Sequence, residues 1–392
     1  MIVGAAILLA LCLVGCAYPY IGYPLLLSMR ARRRSLRVRN ENIEPSVTVI
    51  VPAYNRESTI AQKIRNTLEL EYPAGKLDVI VVSDGSTDRT DSIVKSFDDP
   101  RVKLVSLPRS GRIAALQQGG RRAQGEILAF TDPTVSLDPG ALRAVVRNFA
   151  DRFVGGVCAA RKLRRNRSGD ATARGEALFA HFEGWIKRLE SRTGSVYAAD
   201  SGFFAVRRAL FVPPRNLAQA DDIAVSARVV LANHRLVYEP RAICRKETPA
   251  DGARDFRRRI HIVNYTIRAL LDVKWQLLSN RPWGVQVVSH TLARFLLPFY
   301  AAGLMVASAV LAAFHVAFAG FLAAQLFLIL FALLGWKYRA STFGRWSLLA
   351  IPCYFAVYHV AGMLGLISVL RGFRPLGATP RAATAAIVHT GA

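Results

Sequence analysis

Three stretches of this sequence run without a single Asp, Glu, Lys or Arg for longer than a bilayer core requires. They are residues 1–29, residues 295–336 (42 positions) and residues 346–370 (25 positions). A helix needs about 20 apolar residues to cross the hydrocarbon core, and a charge at its centre costs roughly 2.5–3.5 kcal/mol on insertion scales. A chain with these stretches is therefore constrained to be a membrane protein with α-helical spans. Residues 1–29 are expected to be an uncleaved N-terminal transmembrane anchor. A cleaved leader would carry a basic start and a shorter apolar run. Six arginines between Arg30 and Arg39 place the end of that helix in the cytoplasm. The 42-residue run has room for two spans with a tight turn near 315–320, which makes His315 a turn residue. Residues 291–371 are thus read as three transmembrane helices.

Charge separates the membrane part from a soluble part. The chain has 52 Lys and Arg against 27 Asp and Glu, a formal net charge of +25. All the acidic residues lie between Glu41 and Asp272, and the excess of base outside that window flanks the apolar runs. Membrane lipid explains that placement, and with no recognition motif present, nucleic acid is not an expected partner. The full division is anchor 1–29, basic cytoplasmic linker 30–45, cytoplasmic domain 46–272, interfacial helix region 273–290, three spans 291–371 and C-terminal tail 372–392. The five cysteines show no Cys-x-x-Cys pair or metal-ligand spacing, as expected for small buried side chains in a reducing compartment.

Within 46–272, short β-branched runs alternate with helical patterns. Residues 47–51, 79–82, 102–105 and 127–131 read as strands, and 58–70, 90–97, 113–123 and 139–149 as helices, the first with Ser58 as its N-cap. Such alternation implies an α/β fold with parallel strands covered by helices. Ligands in these sheets sit beyond the carboxyl ends of the strands. The residues found there are Pro52-Ala53-Tyr54-Asn55, Asp84-Gly85-Ser86-Thr87-Asp88 and Thr131-Asp132-Pro133-Thr134. Asp84 and Asp132 are then expected in one crevice. Asp84 suits hydrogen bonds from a base or ribose, and Asp132 suits a divalent cation on a diphosphate. The same Asp-Gly-Ser-Thr-Asp run also suits a turn that caps the next helix, the better reading for Asp88.

In order and spacing, these residues resemble the family 2 glycosyltransferases, above all the membrane-embedded synthases of cellulose, hyaluronan, chitin oligomers and poly-N-acetylglucosamine. The likeness rests on Val-Pro-Ala-Tyr-Asn at 51–55, Asp-Gly-Ser-Thr-Asp at 84–88 and the stretch opening at Gly111-Arg112. It continues through Phe130-Thr131-Asp132, Ser201-Gly202-Phe203-Phe204-Ala205-Val206-Arg207-Arg208 and Asp221-Asp222. The resemblance implies a GT-A-type, Rossmann-like nucleotide-sugar-binding domain joined to transmembrane helices. It also implies inverting transfer from a nucleotide sugar, with UDP as the nucleotide, and a divalent cation, Mg²⁺ or Mn²⁺. By position it gives Asp84 to the uracil, Ala53, Tyr54 and Arg112 to the nucleotide pocket, and Gly202 to the acceptor site. Asp132 matches the first Asp of the metal motif Asp-x-Asp. Asp222 matches the general base, with Asp221 beside it and the choice between them open. A helix N-cap is the alternative use of that pair.

Departures from the family pattern are specific. Thr134 replaces the second metal Asp and is the weaker ligand. Gln117 stands for a usual Asn. Phe256-Arg257-Arg258-Arg259-Ile260 replaces the Gln-x-x-Arg-Trp motif of processive members, leaving Arg259 as the expected diphosphate clamp or, alternatively, part of a basic face on anionic lipid. The function expected is a transferase of the inner or plasma membrane that extends a cell-surface glycan, with its catalytic domain in the cytoplasm and export or synthase subunits as possible partners. Two alternatives stand beside it: a non-processive enzyme acting on a polyprenyl-phosphate or other lipid-linked acceptor, and a non-catalytic nucleotide-binding subunit of a polysaccharide synthase.

Overall fold

The computed structural model describes residues 1–164, 171–200, 202–212, 221–247, 252–273 and 280–373. The helix α1 (Ile2–Arg33) leads to β1 (Val47–Ala53), whose seven residues are all buried. There follow α2 (Ile60–Leu68), β2 (Leu77–Asp84), α3 (Thr90–Lys95), β3 (Val102–Leu107), α4 (Arg112–Arg122) and β4 (Ile127–Thr131). β1 pairs in parallel with both β2 and β4, and β2 with β3, so this half of the sheet is the parallel array the alternation predicts. Thr59, not Ser58, is the residue that precedes α2.

The second half of the sheet is mixed. It contains β5 (Val135–Leu137), β6 (Val154–Arg164), β7 (Phe203–Arg207) and β8 (Arg235–Glu247), with α5 (Ala141–Val146), α6 (Ala171–Thr193) and α7 (Asp221–Leu231) between them. The strand order is β3-β2-β1-β4-β7-β6-β8-β5. β7 runs antiparallel to β4 and to β6, while β6 and β8 are parallel. Side chains alternate across the sheet. Val49 and Val51 face one cluster with Ile60, Ile64 and Val145, and Ile50 faces the other with Leu116, Phe130 and Phe204.

α8 (Gly252–Asp272) leads to the remaining helices. α9 (Pro282–Phe295) and α10 (Leu297–Ala312) meet at a 54° bend, followed by α11 (Val316–Lys337) and α12 (Ser347–Leu370). Among the described residues, α1, α11 and α12 are long and apolar enough to cross a membrane, and the bent pair makes four if it is one span. His315 caps α11, its ring nitrogen accepting from the Ala317 N–H at 3.1 Å. α12 also packs on the domain. Gly175 of α6 lies against Tyr354, Gly365 lies against Val263 of α8, and Asn264 donates to Ser368 at 2.7 Å. Residues 274–279 of the expected interfacial region and 374–392 of the tail lie outside the described residues.

Candidate functional site

The strand ends of the parallel half carry two neighbouring stations. At the first, the turn after β1 is laced to the turn after β2. Asn55 adopts a left-handed conformation, and its side-chain oxygen accepts from the Thr87 N–H at 2.9 Å. Asp88 caps α3 through the Thr90 N–H at 3.0 Å. Asp84, 2% exposed, accepts from the Ser110 N–H at 2.7 Å and the Gly111 N–H at 2.9 Å, and also holds Arg109. The Arg109 guanidinium lies 3.6 Å over the half-exposed ring of Tyr54, while Ala53 is buried at the end of β1. Gly85 is required here. It has φ +69°, and a Cβ would stand 2.6 Å from the Arg109 nitrogen.

The second station is built on Asp132. Arg112, the first residue of α4, reaches Asp132 at 2.5 Å. Burial pushes the Asp132 carboxyl up, but Arg112, Lys246 and Arg258 outweigh it and hold it below the ordinary aspartate value. Asp132 and Thr134 line a cleft of about 590 Å³ with Arg56, Arg161, Lys246, Arg258 and Arg259, the acids being Glu176, Glu247 and Asp255. Five cations thus face Asp132 and three further acids, a balance slightly positive before any anion is bound.

Asp84 and Asp132 therefore do not share one open crevice. The turn 109–112 runs between them, its start tied to Asp84 and its end to Asp132. The described lining of the cleft includes neither Asp84 nor Asp222. Asp222 sits in the first turn of α7, its carboxylate accepting from the Ile223 N–H at 2.9 Å. Its carbonyl accepts from Ser226, whose hydroxyl accepts from the Ala199 N–H at 2.9 Å. Asp221 opens the same helix, and its side chain lies outside the described residues, as does Ser201. Arg259 lines the cleft, but Asp255 at 2.5 Å and Glu176 at 3.3 Å hold its guanidinium against Tyr354. Arg258 and Lys246 are the cations that act on Asp132 from that side.

Several residues of the site were not singled out from the sequence. Asp200 is half-buried; desolvation pushes its carboxyl up, yet Arg161 and Lys187 outweigh this and bring it to about 2. Its carboxylate accepts from the Gly202 N–H at 3.0 Å, and the Gly202 carbonyl accepts from Thr131 at 2.9 Å. Gly202 thus joins Asp200 to the strand that carries Asp132. Beneath the same strand, Lys63 donates to the Thr131 hydroxyl at 3.0 Å and to the Val135 carbonyl at 2.7 Å. Burial lowers Lys63 to about 7 against the opposing pull of Asp132. From sequence, the strand-end rule and the family motifs reach Asp132, Thr134 and Gly202 here, but neither Asp200 nor Lys63.

Among the described residues no three His, Cys, Asp or Glu side chains converge as a metal cage. A hard divalent cation that is shared with a diphosphate needs only one or two protein carboxylates, the rest being phosphate oxygens and water. Asp132 with Thr134 at a cation-lined cleft fits that role.

Residues 48–212 match the model of Glycosyl transferase family 2. The poly-beta-1,6-N-acetyl-D-glucosamine synthase of Staphylococcus epidermidis is 25% identical over 262 residues, 65% of this chain and 63% of that protein. The beta-monoglucosyldiacylglycerol synthase of Trichormus variabilis is 31% identical over 186 residues, 46% of this chain and 40% of that protein. The chain thus spans less than two thirds of the length of these relatives. Among solved structures, a mannosyltransferase from Pyrobaculum calidifontis in complex with GDP-Man and Mn²⁺ has a TM-score of 0.68 at 24% identity. It covers 91% of this chain and 99% of that one, and the likeness establishes the fold, a GT-A-like mixed sheet with flanking helices.

Proposed function

We propose, from the premise that residues 48–212 form a Glycosyl transferase family 2 domain, that this chain is an inverting, membrane-embedded glycosyltransferase. It takes a sugar from a nucleotide-sugar donor, with UDP as the nucleotide, and adds it to an acceptor delivered at the membrane. The observation that carries this reading is the cleft at the end of β4, lined by five cations and by Asp132, on which Arg112, Lys246 and Arg258 act. The anchor, cytoplasmic domain and later spans are proposed with the boundaries read from the sequence, the six arginines from Arg30 to Arg39, at and just beyond the end of α1, supporting a cytoplasmic domain at the plasma membrane.

The roles follow from position. Asp84, Tyr54, Ala53 and the turn 109–112 receive the base and ribose, Arg109 closing over Tyr54. Asp132 and Thr134 would hold Mg²⁺ or Mn²⁺, which would neutralise charge on the diphosphate. Arg112, Arg258 and Lys246 share that load, with Arg259 acting through its tie to Asp255 and Glu176. As the sugar–oxygen bond to the nucleoside diphosphate breaks, an acceptor oxygen bonds to the same carbon. Its proton passes to the carboxylate of Asp222, with Asp221 beside it. Gly202 borders the acceptor side. Such a base contributes about 10²–10⁴-fold.

The test is transfer by the purified full chain from a panel of UDP-sugars with Mn²⁺ or Mg²⁺. Asp222→Asn is expected to lower the rate of transfer by about 10²–10⁴-fold with the KM for donor little changed. Transfer that survives Asp222→Asn rejects the assigned base, and a wild-type chain that binds nucleotide but transfers nothing favours a non-catalytic subunit. The acceptor is a growing cell-surface glycan in one version and a lipid-linked group in the other. A groove beside the cleft favours the second.

A further inference from the structure

β6 separates the cleft from a second recess of about 630 Å³, walled by α6 on one side and the middle of β8 on the other. Arg161 and Leu163 line both spaces. The recess is amphipathic. Leu178 and Trp185 of α6 are 53% and 42% exposed within it, apolar side chains that a water-filled pocket gives no reason to display. Phe182 continues that wall and packs against Trp185 at 5.9 Å and against Tyr20 of α1 at 5.7 Å. The apolar wall therefore runs directly onto a helix long enough to cross a membrane. Cations enter the recess from both β6 and α6. Lys162 and Arg188 are exposed, Arg161 stands where the two spaces meet with Asp200 at 3.5 Å, and the described lining contains no acidic residue.

An apolar wall continuous with a membrane helix, facing cations with no counter-acid in the lining, complements one kind of molecule: a lipid with an anionic head. We infer that this groove seats the acceptor, a lipid whose headgroup carries phosphate. Its chain lies over Leu178, Phe182 and Trp185, and its phosphate sits among Lys162, Arg188 and Arg161. Because Arg161 and Leu163 also border the cleft, a headgroup held there reaches the reacting sugar without leaving the protein. The bonds made and broken are those already described, with the acceptor oxygen supplied by the lipid. The inference rests on the transferase reading and names its acceptor class.

The experiment uses the full chain in nanodiscs of zwitterionic lipid, with labelled nucleotide sugar and one of three acceptors: a polyprenyl phosphate, diacylglycerol or a soluble glycan oligomer. Trp185→Ala and, separately, the double substitution Lys162→Glu with Arg188→Glu are compared with wild type. Transfer to the polyprenyl phosphate is expected, with its KM raised about tenfold or more by either variant, the loss of a charge-assisted contact or of buried aromatic area. The KM for nucleotide sugar is the internal reference and stays where it is. Lipid binding is read separately by native mass spectrometry. Preference for diacylglycerol or the soluble glycan overturns the inference, as does a lipid KM that neither variant moves. So does bound lipid that never receives sugar while donor is consumed. Polyprenyl phosphate that binds through these residues in a chain that consumes no donor supports the groove and rejects only the transferase reading.

Discussion

Lys63 carries an ammonium into the domain core at 2% exposure. It makes two hydrogen bonds, one on each side of the turn that holds Asp132 and Thr134. Burial lowers it to about 7, whereas an unfolded lysine titrates near 10.4. Between these values the unfolded chain binds the extra proton, so wild-type stability rises as pH goes from about 7 to about 10. Lys63→Met is expected to remove that slope, by about one proton, in melting temperatures followed across this range. The same variant loosens the Asp132 turn and is expected to weaken Mn²⁺-dependent nucleotide binding. Nothing in Gln62-Lys63-Ile64 announces this role, because a lysine on a helix normally points to water. Asp132 was legible because a polar residue directly after a buried strand has one place to go. Asp200 was not, because its partners Arg161 and Lys187 come from separate elements.

Among the elements, α6 joins the site to the helices. It supplies Glu176 to the Arg259 ion pair and Gly175 to the tight meeting with Tyr354. A Cβ on Gly175 would stand 2.2 Å from the Tyr354 Cβ, an atom that no rotamer change can move aside. Gly→Ala within a helix ordinarily gains about 0.5–1 kcal/mol, whereas overpacking costs about 1–3 kcal/mol. Gly175→Ala is therefore expected to lower the melting temperature in detergent, and a rise would contradict the close packing of α6 on α12. The strands divide by legibility for a physical reason. β1, β2 and β4 are apolar runs buried along nearly their whole length and stand out from the polar segments between them, while β3 is less buried and shows less clearly. β6 opens with Val-Gly-Gly and closes on Arg-Lys-Leu-Arg, and β8 interleaves three arginines and a lysine with a proline. Half-buried strands carry their charges on one face, which blurs the run that betrays a buried strand.

At the scale of the molecule, the domain and the long apolar helices are joined by a buried polar lattice. Glu183 of α6 accepts from Arg294 at 2.5 Å and meets His290 at 2.9 Å, while Glu190 meets the other ring nitrogen at 2.8 Å and Tyr23 of α1 at 2.6 Å. Arg294 is 1% exposed. Removing one partner of such a buried pair costs about 3–5 kcal/mol, because the other charge is left without compensation. Glu183→Gln is expected to destabilise by about that amount in a reversible denaturant titration in detergent, and an effect under about 1 kcal/mol would show the lattice to be solvated. This joint escaped the sequence reading because its partners lie a hundred or more residues apart. The uncharged runs marked the spans, and the polar residues at their margins carried no periodic signal.

The Tyr20 hydroxyl meets a ring nitrogen of His359 at 2.7 Å across 339 positions of chain. A ribosome releases the first of these residues long before it makes the second. The seam between α1 and α12 therefore stays open through nearly all of synthesis, and the young helix waits in the bilayer for a partner not yet born. The contact between α1 and α12 cannot form before α12 has been made, whatever the pace of the domain in between.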